Sequence, residues 1–153
     1  HQKASRTFTR DIWHQYDWMV GLRTIKGPDK PGRYAIINVP EIGKEIVLTW
    51  SSDEGLSNRD PKAGIEHAFD TCHERLRSLS AIPLGLTNCL NFGHPQNAIL
   101  AFTQTVQALA DRCRTTRIPI VSGNVSLYNA HGHHSIKPTP VLVMAGVRKQ
   151  IIA

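Results

Sequence analysis

Asp60-Pro61-Lys62-Ala63-Gly64-Ile65-Glu66-His67-Ala68-Phe69-Asp70-Thr71-Cys72-His73-Glu74-Arg75-Leu76-Arg77-Ser78-Leu79 is the stretch on which the fold turns. Asp60 has the short acceptor side chain of an N-cap, and Pro61 suits the first helical position, where its missing N–H costs nothing. Ile65, Ala68, Phe69, Cys72, Leu76 and Leu79 keep helical spacing, which predicts a helix with one face packed on a sheet. The apolar run Leu84 to Leu90 follows and reads as the next strand.

Working outward from this unit, polar Ser51 to Arg59 reads as a loop. Tyr34 to Val39 and Glu45 to Trp50 read as two strands joined through Pro40-Glu41-Ile42-Gly43. Gly27-Pro28-Asp29-Lys30-Pro31-Gly32 is turn chemistry. Before it, Asp11 to Val20 places Ile12, Trp13, Tyr16 and Val20 on one helical face. On the C-terminal side, the loop Asn91-Phe92-Gly93-His94-Pro95 leads into a helix over about Gln96 to Arg114. Ile99, Phe102, Val106, Leu109 and Cys113 form its expected inner face. Ile118 to Val121 reads as a short buried strand and Val141 to Val147 as a continuous apolar one. The alternation predicts an α/β fold: a mixed sheet with helices on one face.

The 153 residues suit a single domain, 1–153, with a sizeable core. The chain starts without methionine and stops soon after the last strand, so the expectation is a piece of a longer protein. No run approaches the roughly 20 apolar residues of a membrane span, and no secretory signal is visible. Cys72, Cys89 and Cys113 are too far apart for a metal pair and odd in number, which points to a reducing, cytoplasmic setting. Lys plus Arg number 18 against 12 acids, a net charge of +6. These cations are scattered, and Arg112, Arg114 and Arg117 favour a helix C-terminus. The expectation is therefore an anionic small molecule rather than nucleic acid, whose binding would show a steep salt dependence. His131, His133 and His134 read as a solvated hairpin tip, since no acid or cysteine stands near enough to complete a metal site. Trp13 and Trp18 read as packing or interface residues.

Two segments pair small residues with amide side chains beside strands. They are Leu86-Thr87-Asn88-Cys89-Leu90-Asn91-Phe92-Gly93-His94-Pro95 and Val121-Ser122-Gly123-Asn124-Val125-Ser126-Leu127-Tyr128-Asn129. Ligands of open α/β sheets collect at the carboxyl ends of strands, where both are expected to form loops. Glycine lets phosphate approach backbone N–H groups, and an Asn oxygen can join a Mg²⁺ shell. By spacing alone, the same amides could instead close turns through their own backbone.

The strings Thr-Asn-Cys-Leu-Asn-Phe-Gly-His-Pro and Pro-Ile-Val-Ser-Gly-Asn-Val-Ser-Leu-Tyr-Asn, with Pro138-Thr139-Pro140-Val141, resemble the phosphoribosylformylglycinamidine synthase family. Within it they are similar to the second of two internally related halves. Gln15 to Val20 and Asp60 to Gly64 resemble its opening helix and helix start. The resemblance runs from about Ile12 to Val147 and is loose over Arg23 to Asn58. It implies an AIR synthase amino-terminal-like domain that pairs through its sheet, normally with the first half. It also implies ATP and Mg²⁺ as cofactors and formylglycinamide ribonucleotide as substrate. The family phosphorylates the substrate's amide oxygen, and ammonia from a glutaminase domain or subunit displaces the phosphate. By position, Asn88 and Gly123 would touch ATP, Asn124 would coordinate Mg²⁺, and Ser126 would contact substrate. Related kinases and synthetases of the superfamily lack the two strings together. A non-catalytic pairing module is the alternative.

Several positions depart from the family pattern. Asn88 stands where it often has Asp, His94 where it often has Asn, and Pro31-Gly32-Arg33 where it has a Gly-Gly-Asp turn. The segment after Pro95 is about two residues shorter. The family's catalytic histidines lie in the first half, so none of the eight here inherits that role. An isolated domain of this kind is expected to form a homodimer.

Overall fold

Asp60 caps the principal helix: its carboxylate accepts the Ala63 N–H at 2.9 Å, and Pro61 is the first helical residue. Such a cap contributes about 1 kcal/mol. In the computed structural model, which describes residues 14, 20–132 and 134–151, this helix is α2 (Pro61–Ser78). It is preceded by a short helix, α1 (Glu54–Arg59), where the sequence suggested only a loop. Asp53 makes α1 possible by accepting the Leu56 N–H at 2.8 Å. The helix expected over Asp11 to Val20 falls, apart from His14 and Val20, outside the described residues, as do Trp13, Trp18 and His133.

The strands are β1 (Thr24–Lys26), β2 (Tyr34–Val39), β3 (Lys44–Ser51), β4 (Ile82–Asn91), β5 (Ile120–Ser126), β6 (Ala130–His131), β7 (His134–Ser135) and β8 (Thr139–Lys149). Six of them form one mixed sheet in the order β1-β2-β3-β8-β4-β5. All its pairings are antiparallel except β4 with β5, which are joined through helix α3 (Pro95–Thr116). β6 and β7 form a separate hairpin, so His131 and His134 do sit exposed on a small hairpin.

Strand alternation divides the sheet into two faces. Val47, Thr49, Leu86, Leu142 and Met144 point under α2 and α3 and are essentially inaccessible. They join Ile65, Phe69, Cys72 and Leu76 of α2 in one core. Ile46, Leu48, Val141, Val143 and Ala145 point to the opposite face, which no described helix covers. The expected helix-covered mixed sheet is therefore observed.

The inner face of α3 matches expectation in part. Leu109 is buried and Phe102 and Cys113 pack against the core, but Ile99 and Val106 are exposed, and Ala98, Thr105 and Ala108 are buried in addition. α3 packs chiefly along α2, which turns Ala98, Thr105, Ala108 and Leu109 inward and leaves Ile99 and Val106 out. Burial of Thr105 costs little because its hydroxyl donates to Ala101 O at 2.8 Å.

Candidate functional site

A left-handed Arg117 ends α3, the buried Ile118 follows, and β5 then runs extended from Ile120 through Ser126. The segment Val121 to Asn129, expected as a loop, is thus strand for most of its length, and Asn88 likewise lies within β4. Parallel pairing with β4 extends from Leu86 to Asn91 and holds both segments straight. The loop proper is confined to Leu127, Tyr128 and Asn129, with the turn after Asn91 beside it.

The pairing places Asn88 opposite Gly123, Asn124 opposite Cys89, and Ser126 opposite Asn91. Asn88 lies between Leu86 and Leu90, so it and Gly123 belong to the helix-covered face. Asn124 and Ser126, one and three residues beyond Gly123, belong to the other. The four candidate residues therefore form two pairs on opposite faces of the β4–β5 pair, with Asn88 on β4 and the other three on the edge strand β5. A ligand meeting all of them must wrap that edge.

A Cβ on Gly123 would lie 2.7 Å from Asn88 Oδ1. The Asn88 amide would have to shift to admit a side chain there, and the two residues line a shallow hollow with Ile120, Val121, Ser122, Asn124 and Val125. Asn124 is exposed and Asn88 half-buried. Among the described residues, neither side chain makes a hydrogen bond. Turn closure belongs instead to Asn91, whose amide donates to Thr139 O at 3.2 Å, and to Asn129. Asn129 donates to Phe92 O at 2.8 Å and to Ser126 O at 3.0 Å.

Asn129 was not singled out by residue type, although it closes the quoted string. Its signal is the neighbouring Tyr128, which takes the left-handed conformation, φ 63°, and folds the chain back. Gly93 completes the junction: a Cβ there would run into Ser135 Oγ of the β6–β7 hairpin. His94 caps α3 through Nδ1, which accepts the Gln96 N–H at 3.3 Å, and meets Tyr128 edge to face with ring centroids 5.0 Å apart. His94 thus replaces the expected Asn with another N-terminal acceptor.

Charge near these residues is sparse. Among the described residues, no three His, Cys, Asp or Glu side chains cluster to hold a metal ion. The chain can offer a cation one neutral amide oxygen at Asn124, with phosphates, water or other protein groups supplying the rest.

A helix-backed mixed sheet with polar amides along its parallel β4–β5 pair defines an α/β domain with a polar sheet edge. The profile of AIR synthase related protein, N-terminal domain, matches residues 57–148, and the chain belongs to this family. It is 37% identical over 138 residues to phosphoribosylformylglycinamidine synthase subunit PurL of Campylobacter curvus, a match covering 89% of this chain and 19% of that protein. The chain thus spans about a fifth of the length of such relatives. Thermotoga maritima PurL complexed with ATP superposes with a TM-score of 0.76 at 28% identity, over 92% of this chain and 23% of that one. The same protein complexed with FGAR gives 0.77 at 30%, with the same coverage. Among the described residues no helix is long and apolar enough to cross a membrane.

Proposed function

We propose that the chain is the amino-terminal-type domain of the second half of a cytoplasmic phosphoribosylformylglycinamidine synthase. In this role it lends residues to the ATP-dependent conversion of formylglycinamide ribonucleotide to its amidine in purine biosynthesis. The observation that carries the reading is the pair of amides, Asn88 in β4 and Asn124 in the neighbouring edge strand β5, left without side-chain hydrogen bonds among the described residues. An Asn that served only the fold would spend its amide on the backbone, as Asn91 and Asn129 do. The relatives complexed with ATP and with FGAR support the choice of ligands.

In this assignment Gly123 and Asn88 meet the nucleotide at the hollow, where Asn88 must swing aside for a phosphate to approach the Gly123 backbone. Asn124 gives Mg²⁺ one oxygen, and Ser126 meets the substrate. Bound Mg²⁺ neutralises phosphate charge and thereby favours phosphoryl transfer to the substrate's amide oxygen, which makes it a good leaving group for ammonia. The first half of the synthase supplies the catalytic histidines, and a glutaminase domain or subunit supplies the ammonia. The neutral Asn88 lying over Gly123 favours a second reading, in which this half binds nucleotide only structurally or serves only for pairing.

Replacing Asn124 separates the two. In the synthase that carries this chain, Asn124→Ala is expected to raise the Mg²⁺ requirement about tenfold, a cost of ~1.4 kcal/mol. Its melting temperature should stay nearly constant, because the side chain is exposed and holds nothing. Asn124→Asp should recover part of the loss. An unchanged Mg²⁺ dependence in rate measurements would remove Asn124 from the metal site and leave the pairing reading.

A further inference from the structure

We infer that Asn129 is a positioning residue for Ser126: its amide orients the serine hydroxyl and ties the end of β5 to the turn after β4. The inference rests on the reading of Ser126 as the substrate contact. Ser126 is the last residue of β5, where pairing stops and a side chain would otherwise choose among rotamers. Asn129 removes that choice. Its Oδ1 lies 3.1 Å from Ser126 Oγ, and its Nδ2 lies 2.9 Å from the same oxygen. The hydroxyl can donate to Oδ1 while Nδ2 donates to Phe92 O at 2.8 Å.

The backbone holds Asn129 just as firmly. Its N–H donates to Phe92 O at 3.3 Å, and its carbonyl accepts from Ile136 N–H at 3.0 Å. Tyr128 N–H donates to Gly93 O at 3.1 Å, and Phe92 N–H donates to Ser126 O at 2.9 Å. The asparagine is thus pinned to the β4–α3 turn on one side and to the hairpin on the other, and it passes that rigidity to one hydroxyl. A chemical consequence follows. With its proton committed to Oδ1, Ser126 Oγ faces the ligand as an acceptor. It therefore suits an N–H or hydroxyl donor of the substrate rather than a phosphate oxygen.

A double-mutant cycle in the synthase that carries this chain tests the coupling. Asn129→Ala is expected to raise the KM for formylglycinamide ribonucleotide roughly tenfold, equivalent to 1.4 kcal/mol, with little change in kcat. On a Ser126→Ala background the same replacement should add nothing to KM. Asn129→Asp keeps the acceptor for the serine proton and should restore part of the affinity, which guards against a variant that merely folds poorly. If Ser126→Ala raises KM and Asn129→Ala multiplies it by the same factor in both backgrounds, Asn129 supports the fold alone and the inference is overturned. If Ser126→Ala leaves KM unchanged, the reading of Ser126 itself fails, and the inference falls with it.

Discussion

Cys72 shows how far one side chain can be taken out of solvent in a domain of this size. It has no accessible surface, its Sγ lies 3.8 Å from Leu142 O, and its carbonyl accepts the Thr49 hydroxyl at 3.1 Å. Burial pushes its thiol from an ordinary pKa of 9.0 up to about 11. The folded chain therefore holds this proton more tightly than the unfolded chain. The stabilisation is complete below pH 9 and is lost as pH rises toward 11. Urea unfolding between those values should show a fall in stability that is shallower in Cys72→Ala, whatever other groups contribute in both proteins. Equal slopes would show that the thiol ionises without hindrance. Cys89, partly accessible beside Asn91, should react with a thiol reagent before the inaccessible Cys72 at neutral pH.

At the scale of elements, one buried ion pair joins several pieces of chain. Arg148 Nε on β8 donates to Glu45 Oε2 on β3 at 2.6 Å, with side-chain exposures of 12% and 2%. Arg148 also donates to Leu79 O at the end of α2 at 3.0 Å, and Glu45 accepts the Ile151 N–H at 3.2 Å. Truncating one partner leaves the other charge buried, which costs about 3–5 kcal/mol, far more than loss of an exposed pair. Arg148→Met should destabilise the chain by about that amount in chemical denaturation. Replacing Glu45 by Leu as well should return part of the loss, because no orphaned charge then remains. Arg114 with Asp111, an exposed pair at 2.8 Å, should contribute less than about 1 kcal/mol.

For the whole molecule, the open face of the sheet governs behaviour. Leu48, Leu84, Val121, Val143 and Ala145 line an apolar depression there, with Leu84 54% and Val121 71% exposed. A surface of this kind on an isolated domain tends to be covered by a copy of itself or by a partner. The isolated chain is expected to be a homodimer at high concentration in light scattering, and Val143→Lys should make it monomeric. A monodisperse monomer at millimolar concentration would count against pairing through the sheet. The same chain should form no amidine from formylglycinamide ribonucleotide, ATP and ammonia, because the proposed site is completed by the other half. Turnover above that of an Asn124→Ala control would show that the domain is sufficient alone.

The sequence by itself determined what local chemistry decides. Asp60-Pro61 marks a helix start through a cap and a missing donor, both local to one turn. The residues Ile65, Phe69, Cys72 and Leu76 mark the buried face of α2, and the continuous apolar run Val141 to Val147 marks a strand, which lies within β8. Family membership was legible too, in the Ser122 to Asn129 string. Only the tertiary structure decided where those letters sit. Small and polar residues such as Ser122, Gly123 and Asn124 read as loop, yet pairing with β4 makes them strand, because hydrogen bonds to a neighbour distant in sequence override weak local preference. That same pairing fixes a period of two, which sends Asn88 and Gly123 to one face and Asn124 and Ser126 to the other. The inner face of α3 was misread in part for a similar reason: Ile99 and Val106 are apolar, but contact with α2 chose Thr105 and Ala108 instead. Periodicity states that a helix has a side to bury. The neighbour it packs against decides which.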